Sequence, residues 1–287
     1  MHEAVLDWYD EHQRDLPWRR SDATAWGVLV SEFMLQQTPV ARVLPAYAAW
    51  LDRWPVPAAL AADPAGEAVR QWGRLGYPRR ALRLHAAACV VTSQHDGQVP
   101  SSHADLLALP GVGSYTAAAV ASFAFGQRHA VLDTNVRRVF ARLVTGAQFP
   151  ATAVSVAETR LAESLLPTTP ATAARWSVAV MELGALVCTA TRPRCPDCPV
   201  VATCAWHHAG HPPSTVKRPA QRYTGTDRQV RGALMAVLRD ADTPVSAANL
   251  ASAWPDDPVR RARALDGLVA DGLVEPRDNE TFALPGT

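Results

Sequence analysis

Apolar residues recur at helical spacing through most of residues 1 to 210. In TAWGVLVSEFMLQQ (24–37) they fall at 26, 29, 30, 33 and 34, one face of a 3.6-residue turn. Thr24 stands where a capping hydroxyl belongs, and Pro39 lies just past the end. The same period runs through 40–53, 79–93, 114–125, 135–145, 153–165 and 172–187. Few segments alternate with period two, so the pattern predicts an all-α fold. Periodicity lapses over 208–227, where Pro, Gly, His and Ser crowd together as in a linker. It resumes over 228–287 as three short helices, after which LVEP and TFAL flank RDNE as a two-strand ribbon. Three helices and a ribbon predict a winged-helix-like C-terminal module.

One polar residue breaks the apolar face of the 24–37 helix. Glu32 has Val28, Leu29 and Leu35 at i−4, i−3 and i+3. A carboxyl in such surroundings is costly unless neutral or paired. Burial raises a carboxyl pKa and keeps a proton available near neutral pH, as a general acid requires. A structural glutamate bonded to backbone or to an arginine fits the pattern equally well.

Further along, LPGVG (109–113) precedes a helix that begins near Ser114. Gly111 and Gly113 relax the steric limit on this turn. Its backbone N–H groups can then face a phosphate, a contact that positions DNA and reads no sequence. An ordinary turn before a helix has the same composition. VLDTNVRRVFARL (131–143) then puts Asp133 at the mouth of the next helix, where aspartate is also a routine cap, followed by Asn135, Arg137 and Arg138.

Four of the five cysteines form the run Cys188-x6-Cys195-x2-Cys198-x5-Cys204. A cytoplasmic chain disfavours disulfides. Zinc sites usually pair two C-x2-C knuckles, and only one is present. A [4Fe–4S] cluster also takes four cysteinates. Cys89 stands alone in an apolar pattern and reads as core. His207, His208 and His211 lie in a polar stretch with no partner cluster.

Composition adds limits. The chain has 287 residues, 48% hydrophobic and 19% charged, with a net charge of +1. That fits a globular protein with a sizeable core and leaves nucleic-acid binding to local charge. The start, MHEAVLDWYDEHQRD, has no secretory pattern, and no stretch is long and apolar enough for a membrane helix. A cytoplasmic, nucleoid-associated monomer with no membrane partner is expected. Lys217 is the one lysine among 28 Lys and Arg residues.

The hairpin, the aspartate about twenty residues on and the cysteine spacing together resemble the HhH-GPD, or endonuclease III, superfamily of DNA glycosylases. Within it, SEFMLQQT preceded by LPWR (16–19) and followed by LGY (75–77) resembles the MutY family of adenine DNA glycosylases. The resemblance implies a two-lobed helix-hairpin-helix glycosylase core over 1–207, with a helical bundle at 21–130. Residues 1–20 with 131–207 would form a cluster domain, and the active site would lie in the groove between the lobes. It implies a [4Fe–4S] cluster on Cys188, Cys195, Cys198 and Cys204. It implies excision of adenine mispaired with 8-oxoguanine or G from double-stranded DNA, as a step of base excision repair. Glu32 and Asp133 would be catalytic, with Tyr115 and Asn135 as their partners. Trp18 and Arg19 would lie around the extruded adenine, Gln37 and Tyr77 would enter the duplex, and Gly111 and Gly113 would hold its backbone. Tyr115 occupies the position that resembles a lysine in members that also cut the strand. The expected enzyme is therefore monofunctional, with no lysine-based lyase step.

Two features depart from the family. Pro78 stands where many relatives carry a second aromatic residue, and the C-terminal module replaces a β-rich NUDIX-like domain. A thymine glycosylase acting at T·G mismatches is the nearest alternative. A non-catalytic iron–sulfur DNA-binding or regulatory protein is the alternative of another class. Arg70, Arg74, Arg79, Arg80 and Arg83 cluster around Tyr77 and read either as phosphate clamps or as a solvated helix face.

Overall fold

The computed structural model describes residues 1–214 and 225–287. Lys217 and the middle of the 208–227 linker lie outside the described residues. In chain order the helices are α1 (His2–His12), α2 (Ala25–Leu35), α3 (Val40–Arg53), α4 (Pro57–Ala62), α5 (Ala65–Trp72), α6 (Arg79–Gln94), α7 (His103–Ala108) and α8 (Ser114–Phe125). Then come α9 (Thr134–Phe140), α10 (Val156–Ser164), α11 (Pro170–Leu186), α12 (Ala205–His208), α13 (Asp227–Asp240), α14 (Ala247–Ala253) and α15 (Pro258–Ala270). Three short strands, β1 (Val245–Ser246), β2 (Glu275–Arg277) and β3 (Thr281–Ala283), complete the described fold. Among the described residues no helix is long and apolar enough to cross a membrane.

The chain clusters into two compact units. The first holds Met1–Val28, Ser101–Ala108 and the stretch that begins at Val112 and runs through the cysteine loop. Its core forms around α11, whose Trp176, Val180 and Leu183 meet Val5 and Trp8 of α1 and Val136, Val139 and Phe140 of α9. α7 and α8 pack together as the two arms of a helical hairpin. α9 does not run on as a plain α-helix to 145. It passes into a π-helical turn over Ala141–Thr145, which Gly146 closes in the left-handed region. Such turns inside helices are frequent at functional sites, and this one holds the buried Arg142.

The second unit holds Leu29–Pro100, Leu109–Gly111 and the C-terminal stretch that ends at Thr287. Trp50, Trp54 and Trp72 are buried at its centre, with ring centroids 4.6 Å (Trp50–Trp54) and 5.6 Å (Trp50–Trp72) apart, edge to face. Each such indole contributes about 4–6 kcal/mol of transfer free energy before conformational entropy is set against it. The C-terminal residues form the expected three helices, with Val230, Leu234 and Leu238 of α13 buried along with Ala264 and Leu268 of α15. The expected ribbon gains a third strand: the sheet order is β1-β3-β2, with Val245 opposite Phe282 and Glu275 opposite Ala283. A two-residue strand carries too little alternation to be read from sequence. α13 also packs on α5, so this module is seated within the second unit.

Candidate active site

Asp133 caps α9. Its Oδ1 accepts the backbone N–H groups of Asn135 (2.9 Å) and Val136 (2.6 Å), and its Oδ2 accepts Nδ2 of Asn135 (2.8 Å). The Asn135 amide is fixed in turn, because its Oδ1 accepts Nη2 of Arg138 at 2.8 Å. A flip would lose both bonds. The residue as a whole is half-buried, but its carboxyl group is enclosed, and this burial pushes its pKa above the ordinary aspartate range. The three donated hydrogen bonds and Arg138 act in the opposite direction without cancelling it.

Arg138 reaches past the aspartate. Its Nη2 also donates to the Gly184 carbonyl (2.7 Å), and its Nε donates to the Cys188 carbonyl (2.7 Å). Gly184 is what lets α11 come this close. A Cβ built there would stand 2.7 Å from Asn135 Cβ and 3.0 Å from the Asn135 carbonyl carbon and oxygen.

The cysteine loop follows directly. Cys188, Cys195, Cys198 and Cys204 form no disulfide and line one pocket with Arg142, Val187, Pro193, Val201 and Trp206. Arg142 is almost wholly buried, donating to the carbonyls of Gln148 (3.0 Å), Thr189 (2.8 Å) and Ala190 (3.1 Å), with Nη1 3.4 Å from Cys188 Sγ. Desolvation, reinforced by the neighbouring sulfurs, pushes the Cys195 thiol up and the Cys198 thiol to about 11. Four convergent, partly desolvated sulfurs with an arginine against them form a donor set suited to a metal centre. His207 and His211 approach Cys195, with the ligand atoms of all three within 4.8 Å of one another. A nitrogen ligand at this corner is therefore sterically available, which the polar run of histidines did not suggest.

Trp18 is buried, and Arg19 points its Nη1 at Glu182 Oε2 (2.8 Å). Glu182 is completely buried on α11 and also accepts Arg14 through Nε (2.6 Å), Nη2 (2.7 Å) and the backbone N–H (3.1 Å). These arginines hold its carboxyl below the usual glutamate range despite burial. Sequence reading passed over Glu182, although it is, like Glu32, a single carboxylate in an apolar helix. Tyr115 is half-buried at the start of α8, against the Ala118, Ala119 and Val131 cluster.

In the second unit Glu32 lies on α2 and is 4% exposed. Thr24 caps this helix through Gly27 N–H at 3.0 Å, as its position suggested. Gln37 follows in the left-handed region (φ 55°), and Tyr77 adopts the same region (φ 48°). Both side chains are exposed. Between the two turns lies Arg80. It is buried, and its guanidinium donates to the carbonyls of Phe33 (2.9 Å), Met34 (3.1 Å), Gln36 (2.6 Å) and Gly76 (2.9 Å) and to Thr38 Oγ1 (3.0 Å). Burial pushes its pKa down to about 10. Arg80 is therefore a strut and not a phosphate clamp. Arg70 is likewise committed, to Glu67 and to the carbonyls of Arg239 and Ala241. Gly111 has φ 77°, and a Cβ there would stand 2.6 Å from Arg83 Cβ, so the hairpin turn requires glycine. Gly113 has φ −97° and open space around it. The turn does not depend on a glycine at that position, contrary to the expectation that both relieve it.

Residues 30–161 match the family described as HhH-GPD superfamily base excision DNA repair protein. An adenine DNA glycosylase of Mycolicibacterium smegmatis is 54% identical over 98% of this chain and 95% of its own length. An adenine DNA glycosylase of Homo sapiens is 44% identical over 70% of this chain and 38% of its own. A thermostable thymine-DNA glycosylase superposes with a TM-score of 0.66 at 28% identity, covering 72% of this chain and 95% of that one. Endonuclease III in a non-covalent DNA complex superposes with a TM-score of 0.61 at 23% identity, over 73% of this chain and 94% of that one, and shares the fold.

Proposed function

Since the chain belongs to the adenine DNA glycosylase family of the HhH-GPD superfamily, we propose that it is a monofunctional glycosylase that hydrolyses the N-glycosidic bond of adenine mispaired with 8-oxoguanine or G. The bond breaks with oxocarbenium character. Adenine leaves poorly as an anion, so a ring nitrogen must gain a proton. Glu32, buried on a rigid helix, supplies it. Asp133 remains the anion that stabilises the sugar cation, and Glu32, now basic, takes the proton of the water that attacks it. The observation that carries this reading is the hydrogen-bonding of Asp133, whose two oxygens accept three N–H donors from residues that α9 and Arg138 hold in place. That arrangement suits an acceptor-only carboxylate. Asn135 keeps it oriented, and Tyr115 closes the same region at the head of α8. Gln37 and Tyr77, already set in left-handed turns, fill the space that the extruded adenine vacates.

Tyr115, at the position of a lysine in strand-cutting members, offers no amine for a covalent step. A lysine-based Schiff base needs a lysine at the sugar, and the one lysine of the chain is Lys217. Cys188, Cys195, Cys198 and Cys204 would hold a [4Fe–4S] cluster, which supplies structural closure of a loop poor in apolar residues. Arg142 and Arg138 tie that loop to α9.

A base-release assay over 8-oxoG·A, G·A, T·G and matched duplexes, with and without alkali, tests the reading. Adenine release with strand scission only after alkali is expected. Thymine release from T·G, or scission without alkali, would overturn it. Iron and sulfide near four each per chain test the cluster assignment against zinc.

A further inference from the structure

The C-terminal module reaches the residue expected to enter DNA. The Arg228 guanidinium, on the first turn of α13, lies 5.1 Å from the Tyr77 ring centroid, over the ring. Arg228 is exposed, and Tyr77 keeps 43% of its surface accessible. The neighbouring Asp227 is already committed to Arg263 (2.7 Å) and Arg260 (3.5 Å). Among the described residues Arg228 takes part in no ion pair, and neither does the exposed Arg74, three positions before Tyr77.

The position of Arg228 is set by a built contact. Arg70 Nη1 donates to the Ala241 carbonyl (2.8 Å) and Arg239 Nε to the Val69 carbonyl (3.1 Å). Gly66 N–H donates to the Pro285 carbonyl (2.7 Å). Asp271 bridges Arg79 (3.2 Å) and Arg231. Arg239 is enclosed enough that burial pushes its pKa down to about 10. Two guanidiniums spent on backbone carbonyls, one from each side, hold α13 against α5.

We propose that this module is part of the DNA-contact surface, with Arg228 binding a backbone phosphate of the duplex beside the point where Tyr77 enters. The inference rests on the reading of Tyr77 as a duplex-entering residue. A ring that wedges into a base step brings the flanking phosphates to within side-chain reach of its rim. An unpaired cation stacked on that ring is placed to meet one of them, and the like-charged Arg74 supplies a second positive group in the same turn. The commitment is to phosphate and not to a base edge, so the contact adds affinity and register without sequence preference.

The test measures duplex affinity as a function of salt for the full chain and for Arg228→Ala and Arg228→Lys, on an 8-oxoG·A duplex and on an undamaged one. Thermal melting checks that the variants fold. Loss of one phosphate contact is expected to make the log–log salt slope of Arg228→Ala shallower by about 0.9. Affinity should weaken several-fold on both duplexes, and lysine should restore the slope. An unchanged slope overturns the proposal, including the case in which affinity falls at constant slope, which would mean that Arg228 only packs Tyr77. Failure of the wild type to release adenine would refute the function above and leave this binding result to stand or fall separately.

Discussion

Replacing Gly184 with alanine adds one methyl group where the structure has no room. The new Cβ would stand 2.7 Å from Asn135 Cβ and 3.0 Å from its carbonyl carbon and oxygen. Carbon–carbon contacts settle at about 3.5–4.0 Å, so α11 and the first turn of α9 must separate by roughly 1 Å. Two of the three clashing atoms are backbone, which no rotamer change can clear. Overpacking of this kind costs about 1–3 kcal/mol, and the helix preference for alanine over glycine returns at most about 1 kcal/mol. The net loss corresponds to a fall of a few degrees in Tm. The effect on chemistry is larger. The first turn of α9 carries Asp133 with it through its bonds to Asn135 and Val136, and displacements of about 1 Å near reacting groups cost on the order of 100-fold in rate. Single-turnover adenine release at saturating enzyme, read beside a thermal melt, measures both effects. Gly113→Ala is the control, since its Cβ would meet nothing within 4 Å. If Gly184→Ala released adenine at the wild-type rate with an unchanged Tm, the account of how Asp133 is positioned would be wrong.

Other outcomes follow from the same geometry. Glu32→Gln should abolish base release yet bind the mispaired duplex normally in a gel-shift titration; undiminished turnover would remove it as the acid. Because burial raises the Asp133 pKa and the anion is the working form, single-turnover rates should fall on the acid side from a pH above the ordinary aspartate range. A rate flat down to pH 4 would contradict this. Glu182 shifts in the opposite direction. Its ion pairs stabilise the fold above the unfolded glutamate pKa, and that contribution is lost as pH falls through the depressed folded value. Glu182→Gln should cost about 3 kcal/mol at neutral pH, and denaturant titrations should show the difference from wild type shrinking in acid.

The helical period over 24–37 and 114–125 announced α2 and α8 almost to the residue, because both are largely apolar and buried on all sides through Trp26–Met34 and Thr116–Ser122. Asp133 was legible as a cap, since capping is a local rule. Arg80, Arg138 and Arg142 were not. Their partners are carbonyls scattered tens of positions away, at Phe33, Gly184 and Thr189 among others, and side-chain pattern says nothing about where a distant carbonyl will point. Each reads in sequence as one more surface arginine. Glu182 offered a signal of the same kind as Glu32, and only the tertiary placement of Arg14 and Arg19 identifies it as a paired structural carboxylate.

Arg80 ties the turns of Gln37 and Tyr77 to one guanidinium. Their unusual backbone angles are thus a property of the resting protein. In the proposed role of Gln37 and Tyr77, a probe built this way would meet every base pair with the same profile and lose little conformational freedom at each encounter. Discrimination then falls on the nucleic acid: sites whose stacking yields easily admit the probe, and sound ones let it pass.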